Sequence, residues 1–449
     1  MLDLVIRNGN IIDPSDSPFR GNIGIVDGKI VEISTEDIPA RQSIDAEGLT
    51  VSPGFIDIHM HEDKPQGDSI PYETFNSMAL MGVTTVVGGN CGLGEARVGS
   101  YLDIVDRQGS PVNCAVLVGH DVLRQLVGCT DRWGGASLEQ VSMMASILRE
   151  EMERGALGVS FGLEYTPGTS TEEMIQLSRV IAEYPGKMVS AHYRYSTKRS
   201  PEALAEMVIV SRETGVKFQI SHIGSCCAAG QMSQGLEMIE TARKFGVDVM
   251  TDVYPYDSFS TFIGSPGFET GFMERWNVGY DALGVAAGKY KGQRCTEEIF
   301  EELRRTAPET RIVGYVMKEE EVIKAMNHPL AMVASDGDVK KGVAHPRSSG
   351  TFPRVLGRYV REQKRIALNT AIDKMTRMPA ERLGLKKGRI LKGYDADLVV
   401  FDPETIIDNS TYEEPTRVPS GIQRVIVGGS EVARDGSLTG VLPGKGLRF

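Results

Sequence analysis

The sequence lacks several features that mark other classes of protein. It contains no run of about 18 apolar residues, so it offers no candidate for a membrane-spanning helix. Only 6 of its 449 residues are cysteine, too few for a disulfide framework in a chain of this length. Residues 1–7 lack the basic and apolar regions of a signal peptide. We therefore expect a protein of the reducing cytoplasm.

Basic residues are in the minority. The chain has 49 lysines and arginines against 60 aspartates and glutamates, which gives a formal net charge of −11. A nucleic-acid partner would call for a basic patch. We therefore expect a small-molecule substrate as partner and neither nucleic acid nor membrane, while self-association into a homo-oligomer stays open.

Short apolar runs alternate with helical patterns eight times from about residue 53 onward. One helical pattern starts with the capping box of Ser137 and Gln140 and stops at Gly155. This alternation predicts an α/β fold whose parallel strands close into a (β/α)₈ TIM-like barrel. An open doubly wound sheet is the alternative, but the glycine-rich segment 88–92 lacks the spacing of a phosphate-binding turn.

Both ends of the chain have a different pattern, made of short strands and tight turns. We predict one small β-sandwich domain built from residues 1–52 and 389–449, beside a barrel of residues 53–388. A long insertion at about 257–310 separates the seventh and eighth predicted strands. It is interpreted either as a lid over the site or as an interface element.

Side chains that bind metals stand at the predicted C-terminal ends of five barrel strands, where barrel enzymes place their sites. The first predicted strand, 55–61, carries two histidines on one face. Each side chain alone has an ordinary structural explanation, but one metal site accounts for all of them, and their types suit zinc. The six candidate ligands are His59, His61, Cys91, His192, His222 and Asp336.

The remaining histidines receive no ligand role. His120 lies near a strand end, where it is structural or supports a ligand. His328 precedes the eighth predicted strand and therefore lies at the opposite end of the barrel. His345 lies in a loop over the site and is expected to support it.

Longer motifs connect these residues to a known family. They are segments 53–61, 82–92 with Asn-Cys-Gly at its end, 252–257, 335–337, 345–354 with His-Pro-Arg at its start, and 395–402. On these motifs, which span nearly the whole chain, the sequence resembles the amidohydrolase superfamily. Within it, the sequence resembles the N-acyl-D-amino-acid deacylases, also called D-aminoacylases.

The resemblance implies a division of the six candidate ligands. A tight zinc ion would be held by Cys91, His192 and His222, and the other three would form a second, weaker metal position. One of those three, Asp336, would also transfer protons. The terminal β domain would have no catalytic role.

The resemblance further implies that Arg347, Tyr254 and Ser260 hold the α-carboxylate of the substrate. Arg347 suits this role because a guanidinium binds a carboxylate in a bidentate fork. Tyr165, just past the fourth predicted strand, is a candidate donor to the oxyanion. One departure stands out, because the family usually has a lysine where this sequence has Gly224. Either another cation compensates, for example from the insertion, or the substrate differs.

The expected reaction is hydrolysis of the linear amide of an N-acyl-D-amino acid to a carboxylate and a D-amino acid. Zinc-bound hydroxide would attack the carbonyl, while Asp336 takes the proton of the water and passes it to the leaving amine. A cyclic-amide hydrolase of dihydroorotase or hydantoinase type is the alternative. It usually carries a bridging lysine on strand four, and residues 156–165 contain none. A deaminase would favour other ligands, and a non-catalytic scaffold would have lost some.

Overall fold

A computed structural model describes residues 1–269 and 271–449 of the chain. It confirms the predicted α/β fold, because eight parallel strands form a barrel whose strand order follows the chain. The eight barrel strands, first to eighth, are Phe55–Asp57, Val83–Gly88, Asn113–Gly119, Gly158–Gly162, Met188–His192, Lys217–Ile220, Val249–Val253 and Ala331–Val333.

The barrel closes just beyond the ends of its first and eighth strands. The residues that follow these strands pair in parallel at Met60 and Gly337. The backbone N–H of Asp336 donates to the carbonyl of His59 over 2.7 Å, and that of His61 donates to the carbonyl of Gly337 over 2.9 Å. This closing seam, formed by residues 59–61 and 336–337, therefore carries three of the candidate ligands.

Helices cover the barrel, and their caps follow the sequence signals. Ser137 and Gln140 form the predicted capping box, and the hydroxyl of Ser170 accepts a hydrogen bond from the backbone of Glu173. Among the described residues, no helix is both long and apolar enough to cross a membrane. The α-helices are Glu73–Leu80, Val98–Gln108, His120–Leu126, Leu138–Glu153, Thr171–Ala182, Ser200–Thr214, Ile223–Cys227, Met232–Lys244, Phe272–Trp276, Glu297–Thr306, Glu319–Asn327, Arg347–Arg354, Leu368–Met375 and Arg377–Leu383; Val355–Glu362 is a π-helix.

The two ends of the chain meet in one hydrogen-bonded sheet. It branches at its first strand, because Ala40–Asp45 pairs with one half of that strand and Thr50–Pro53 with its end. Some of its buried aliphatic side chains, such as Ile23, Val51 and Val400, form a separate cluster. Others, such as Val399, Val425 and Val427, belong to the same core as the barrel and its helices. The nine strands are Leu2–Ile11, Phe19–Val26, Lys29–Ser34, Ala40–Asp45, Thr50–Pro53, Leu398–Phe401, Ile422–Val427, Ser430–Arg434 and Ser437–Leu438.

The last residues of the chain leave this sheet and lie against the barrel. The backbone N–H of Leu447 donates to the carbonyl of Cys114 over 2.7 Å. The ammonium group of Lys187, which is buried, donates to the carbonyl of Phe449 over 2.8 Å. The C-terminal segment therefore ties the terminal sheet to the third and fifth barrel strands.

The insertion folds as a small unit with its own core. Its strands Phe259–Phe262 and Leu283–Val285 pair with Arg311–Gly314, and its helix Glu297–Thr306 is capped by the hydroxyl of Thr296. Three of its buried core residues are phenylalanines, and further aromatic side chains pack around this core, which is distinct from that of the barrel. The buried core residues are Ile263, Phe268, Phe272, Leu283, Val285, Cys295, Phe300, Leu303 and Ile312.

We predict that Gly158→Ala strongly destabilises the barrel. Gly158 starts the fourth strand with a φ of 155°, and a β-carbon there would lie 1.7 Å from the carbonyl oxygen of Met188. We expect the free energy of unfolding to fall by roughly 4 kcal/mol or more, because the backbone of a paired strand has to move. The fall of the melting temperature and of the soluble yield measures it.

The matched control is Gly246→Ala. Gly246 also has a positive φ, 82°, but no described atom lies within 4 Å of a β-carbon built there. We expect the free energy of unfolding to fall by only about 1 kcal/mol, because alanine is strained in this backbone conformation. Equal melting temperatures for the two variants would contradict the steric argument.

Candidate active site

Three barrel strands are shorter than the sequence predicts. The first, sixth and eighth strands end at Asp57, Ile220 and Val333, two to four residues before the ligands that were placed on them. His59 and His61 therefore do not alternate along a strand, as the sequence pattern suggested. They lie in the loop of the closing seam, with ring centroids 5.9 Å apart.

The backbone turns sharply at three of the candidate ligands. Cys91, His222 and Asp336 have φ values of 56°, 33° and 49°, a left-handed conformation that is uncommon outside glycine. Hydrogen bonds hold two of these turns. The N–H of His222 donates to Asp252 over 2.8 Å, and that of Asp336 donates to the carbonyl of His59. Such conformations cluster at functional sites, where the surrounding structure enforces them.

Cys91 stands at the centre of the site. Its sulfur lies 3.4 Å from Nε2 of His59 and 3.5 Å from Nε2 of His222. With zinc–sulfur and zinc–nitrogen bonds of about 2.3 and 2.0 Å, the edge of a tetrahedral site between these atoms is about 3.5 Å. Each separation therefore suits a pair of ligands that share a zinc ion.

The structure brings all six candidate ligands together in two overlapping groups. One contains Cys91, His192 and His222, and within each group the ligand atoms lie within 4.8 Å of one another. The sequence placed Cys91 in the first group alone, but the structure places it in both. The second group consists of His59, His61, Cys91 and Asp336.

The electrostatics of the site favour a bound cation. Burial raises the pKa of the Cys91 thiol, but His59 and His222 outweigh it and bring the pKa well below its usual range. Burial also opposes ionisation of Asp336, yet Arg347 and the neighbouring histidines hold the pKa of that carboxyl well below its usual range. Two buried anions thus face one another across the site.

The same anions act on the imidazoles. Burial lowers the pKa of His192, but Cys91 and Glu164 outweigh it and raise the pKa to about 9. For His61, Asp336 and Cys91 outweigh burial in the same way and raise the pKa to about 10. The site therefore has a high affinity for positive charge.

Two histidines are held with Nε2 facing the cysteine. Nδ1 of His59 donates to Oδ1 of Asp252 over 3.1 Å. Nδ1 of His222 lies 2.9 Å from the hydroxyl of Ser225, which itself donates to the backbone carbonyl of His222 and is therefore an acceptor for the ring. Such contacts fix the tautomer of a metal-binding imidazole.

In His192 the ring nitrogen that contacts an outer group is Nε2 and not Nδ1. Its Nε2 lies 3.3 Å from the carboxylate of Glu164, and its Nδ1 is buried with no hydrogen-bond partner among the described residues. An unpartnered buried nitrogen is costly unless a ligand satisfies it. Together with the thiolate of Cys91 and Nε2 of His222, this nitrogen completes a donor set that fits zinc.

Sequence reasoning overlooked the carboxylates that orient the ligands. Asp252 is the penultimate residue of the seventh barrel strand, and Glu164 follows the fourth strand by two residues. Both positions satisfy the strand-end rule that selected the histidines. Asp57, at the end of the first strand, accepts the N–H groups of His59 and Ser335. The same rule would have found all three if it had been applied to every acidic residue.

The four predicted substrate residues line one cavity of about 870 Å³ together with five of the six candidate ligands, all but His59. Nη2 of Arg347 lies 2.9 Å from Asp336, and the guanidinium lies 4.6 Å from the ring centroid of Tyr254. Nε and Nη1 of Arg347, and the hydroxyl of Ser260, are buried without a partner in the described part of the chain. Tyr165 packs against His192, with ring centroids 4.7 Å apart.

The space beside Gly224, where the family usually has a lysine, is occupied by the side chain of Met317. A β-carbon on Gly224 would lie 2.9 Å from the terminal methyl of Met317, whose sulfur lies 3.9 Å from the hydroxyl of Tyr254. The thioether of Met317 therefore lies where the resemblance to the family leads us to expect the ammonium group of a lysine. The described part of segment 257–310 lines the cavity but contributes no lysine or arginine to it, so the compensating cation is not found there.

The three other histidines lie outside both ligand groups. His120 is buried, and its Nε2 lies 2.9 Å from Glu173. His328 contacts Glu240 at 3.0 Å. Nδ1 of His345 accepts the backbone N–H of Arg347 over 3.1 Å. His345 thus contacts the substrate side of the site and not the metal side.

Known proteins share both the fold and the length of the chain. A family profile described as the amidohydrolase family matches residues 42–273 and 302–433. An N-acyl-D-glutamate deacylase of Alcaligenes xylosoxydans xylosoxydans is 34% identical over 462 residues, which cover 96% of this chain and 93% of the relative.

Two solved structures are similar over the full length of both chains. One is an N-acyl-D-glutamate deacylase from Bordetella bronchiseptica complexed with zinc and a phosphonate inhibitor that mimics the tetrahedral intermediate, at 32% identity and a TM-score of 0.86. The other is a D-aminoacylase whose binuclear metal centre is described as having one-metal activation and second-metal attenuation, at 30% identity and a TM-score of 0.88.

The barrel and the cluster of ligands at its mouth define a metal-dependent hydrolase that acts on carbon–nitrogen bonds. The chain belongs to the amidohydrolase family, in the N-acyl-D-amino-acid deacylase branch that its motifs indicated.

We predict that Cys91→Ala loses most of its zinc. The variant removes the one ligand that both groups share, so both metal positions weaken. Elemental analysis after equilibration in buffered zinc measures the loss. Cys114→Ala is the matched control, because Cys114 is equally buried but lies within the third barrel strand. Full zinc occupancy of the Cys91 variant would remove this residue from the ligand set.

Proposed function

We propose that the chain hydrolyses the linear amide of N-acyl-D-amino acids to a carboxylate and a D-amino acid. The observation that carries the proposal is the ion pair of Asp336 and Arg347, 2.9 Å long, beside the cluster of ligands. In this ion pair Asp336, which can transfer protons, lies next to Arg347, which can bind a carboxylate. The relatives named above act on substrates that combine these two features, an N-acyl amide and a carboxylate.

Zinc is the proposed cofactor. Cys91, His192 and His222 would hold it tightly, and His59, His61 and Asp336 would form a weaker second position. A zinc ion bound there supplies a Lewis acid and brings the pKa of coordinated water towards about 7. The fourth barrel strand, Gly158–Gly162, has no lysine that could bridge two metals as in cyclic-amide hydrolases.

Asp336 is the proposed proton carrier. Its carboxylate is ionised, because Arg347 and the nearby histidines keep its pKa low. One oxygen lies 3.0 Å from Nε2 of His61 and 3.5 Å from Nε2 of His59, at the ligand cluster, and the other faces Arg347. The first oxygen accepts the proton of the attacking water, and the carboxyl then passes it to the leaving amine.

Arg347, Tyr254 and Ser260 are the proposed carboxylate site. The unpartnered Nε and Nη1 of Arg347 and the unpartnered hydroxyl of Ser260 are donors that a substrate carboxylate would satisfy. Tyr165 is the proposed donor to the oxyanion. Burial and the charge of Cys91 raise its pKa well above the usual range, so its hydroxyl keeps the proton that it donates.

The reducing cytoplasm is the proposed compartment. All six cysteines are buried thiols, and none is paired in a disulfide. A reactive thiol at the metal site is also best preserved under reducing conditions.

The deciding experiment is a substrate panel on zinc-loaded protein. N-acyl-D-amino acids, their L-enantiomers and cyclic amides such as dihydroorotate and hydantoins are assayed by release of the free amine or by ring opening. We expect turnover of N-acyl-D-amino acids. Turnover of the cyclic amides alone would overturn the proposal in favour of a cyclic-amide hydrolase.

We predict that Asp336→Asn keeps its zinc and loses turnover by about 10²- to 10⁴-fold. The amide has nearly the same shape, but it cannot take up the proton of the attacking water. Metal content and melting temperature serve as controls for folding and for the cluster. A variant that keeps its zinc and at least a tenth of the wild-type kcat would exclude Asp336 as the proton carrier.

A further inference from the structure

A segment of the terminal β domain, residues 408–412, lies against the part of the barrel that carries Arg347. It belongs to the connection between the strands Leu398–Phe401 and Ile422–Val427. We propose that this segment positions Arg347 and that Tyr412 is its principal contact. The inference rests on the proposed function, because it acts on the substrate through the arginine that binds the carboxylate.

A chain of three hydrogen bonds connects Tyr412 to the backbone of Arg347. The hydroxyl of Tyr412 lies 2.6 Å from that of Ser258. The Ser258 hydroxyl lies 3.0 Å from Nε2 of His345, and Nδ1 of His345 accepts the backbone N–H of Arg347 over 3.1 Å. All three distances are those of ordinary hydrogen bonds.

The direction of these bonds is fixed by His345. The ring is buried, and burial and the charge of Arg347 bring its pKa well below the usual range, so the ring is neutral. Because Nδ1 accepts a hydrogen bond, Nε2 carries the proton and donates to Ser258. The hydroxyl of Ser258 then donates to the oxygen of Tyr412. The three bonds therefore form one consistent donor sequence.

Packing holds the same turn from several sides. The rings of Tyr256 and Tyr412 stand edge-on to His345, with centroids 5.3 and 5.4 Å away. The hydroxyl of Ser410 donates to the carbonyl of Pro346 over 2.9 Å. Both residues that precede the arginine are therefore in direct contact with tyrosines of the barrel or with the segment 408–412.

A glycine allows the helix that starts at Arg347 to lie close to the segment 408–412. A β-carbon on Gly350 would lie 2.5 Å from the hydroxyl of Ser410 and 2.8 Å from Cβ of Asp408. On the same helix, Arg354 donates to the carboxylate of Asp408 over 2.9 Å. The helix that starts at Arg347 is thus pressed against the segment, and a larger residue at position 350 would separate them.

The position of Arg347 matters because its side chain has little other support. One nitrogen bonds Asp336 and the ring of Tyr254 lies over the guanidinium, while Nε and Nη1 have no partner among the described residues. A bidentate contact with a carboxylate tolerates only small displacements. The turn 345–347 therefore sets the strength of carboxylate binding.

The test is Tyr412→Phe, which removes only the hydroxyl. We expect KM for N-acyl-D-amino acids to rise about three- to tenfold, the effect of one hydrogen bond, with kcat within about twofold of wild type. For an N-acyl amine without a carboxylate, kcat/KM should be unchanged. Ser258→Ala should reproduce the effect, and the double variant should not add to it. The rise of KM in Arg347→Lys sets the upper limit for the effect of displacing this side chain.

Tyr315→Phe is the matched control, because its ring lies 5.0 Å from that of Tyr412 but its hydroxyl is not part of the hydrogen-bond chain. An unchanged KM for Tyr412→Phe would overturn the inference. So would an equal loss with the carboxylate-free amide, or the same rise of KM in the Tyr315 variant. Each of these results leaves wild-type turnover of N-acyl-D-amino acids, and hence the proposed function, intact.

Failure of the proposed function has a different signature, namely no wild-type turnover of N-acyl-D-amino acids. In that case the ¹⁵N signals of the His345 ring, assigned with His345→Gln, decide the matter without substrate. We expect Tyr412→Phe to shift the signals of both ring nitrogens and Tyr315→Phe to leave them in place. Unshifted signals in the Tyr412 variant would reject the hydrogen-bond chain itself.

Discussion

The closure of the barrel is the interaction on which the site depends. The first and eighth strands are too short to pair along their own length, and the loops beyond them make the contact through residues 59–61 and 336–337. The same backbone hydrogen bonds that close the barrel also fix His59, His61 and Asp336 relative to one another. Folding and assembly of this half of the metal site are therefore a single event, because neither can be complete without the other.

The charges of the site are balanced across several elements. Cys91 and Asp336 are buried anions with imidazoles on several sides. Asp252 and Ser225 hold the Nδ1 atoms of two of these rings, His59 and His222. Asp252 connects two of the ligand-bearing strands, because one of its oxygens accepts both the ring of His59 and the backbone of His222. Such outer contacts orient metal ligands and raise their basicity. The metal site is thus a property of the whole barrel mouth.

The sequence was sufficient for the barrel and for selecting six candidate ligands that the structure brings together, since apolar periodicity and strand ends depend on local pattern. It was not sufficient for the sharp turns at His222 and Asp336. Those turns depend on hydrogen bonds from Asp252 and from the carbonyl of His59, which lie 30 and 277 residues away in the chain. The strand-end rule could have selected Glu164, but its contact with His192 could not be predicted, because that contact exists only once the fourth and fifth strands are neighbours.

The insertion carries its own aromatic core, separate from the core of the barrel, and it forms one wall of the cavity. Most substitutions that reshape this wall affect the packing of this small unit, while Phe259 packs against both cores. The candidate ligands, Asp336 among them, lie on the barrel side of the cavity. Changes within this single segment can therefore alter the shape of the cavity while the candidate ligands on the barrel stay in place.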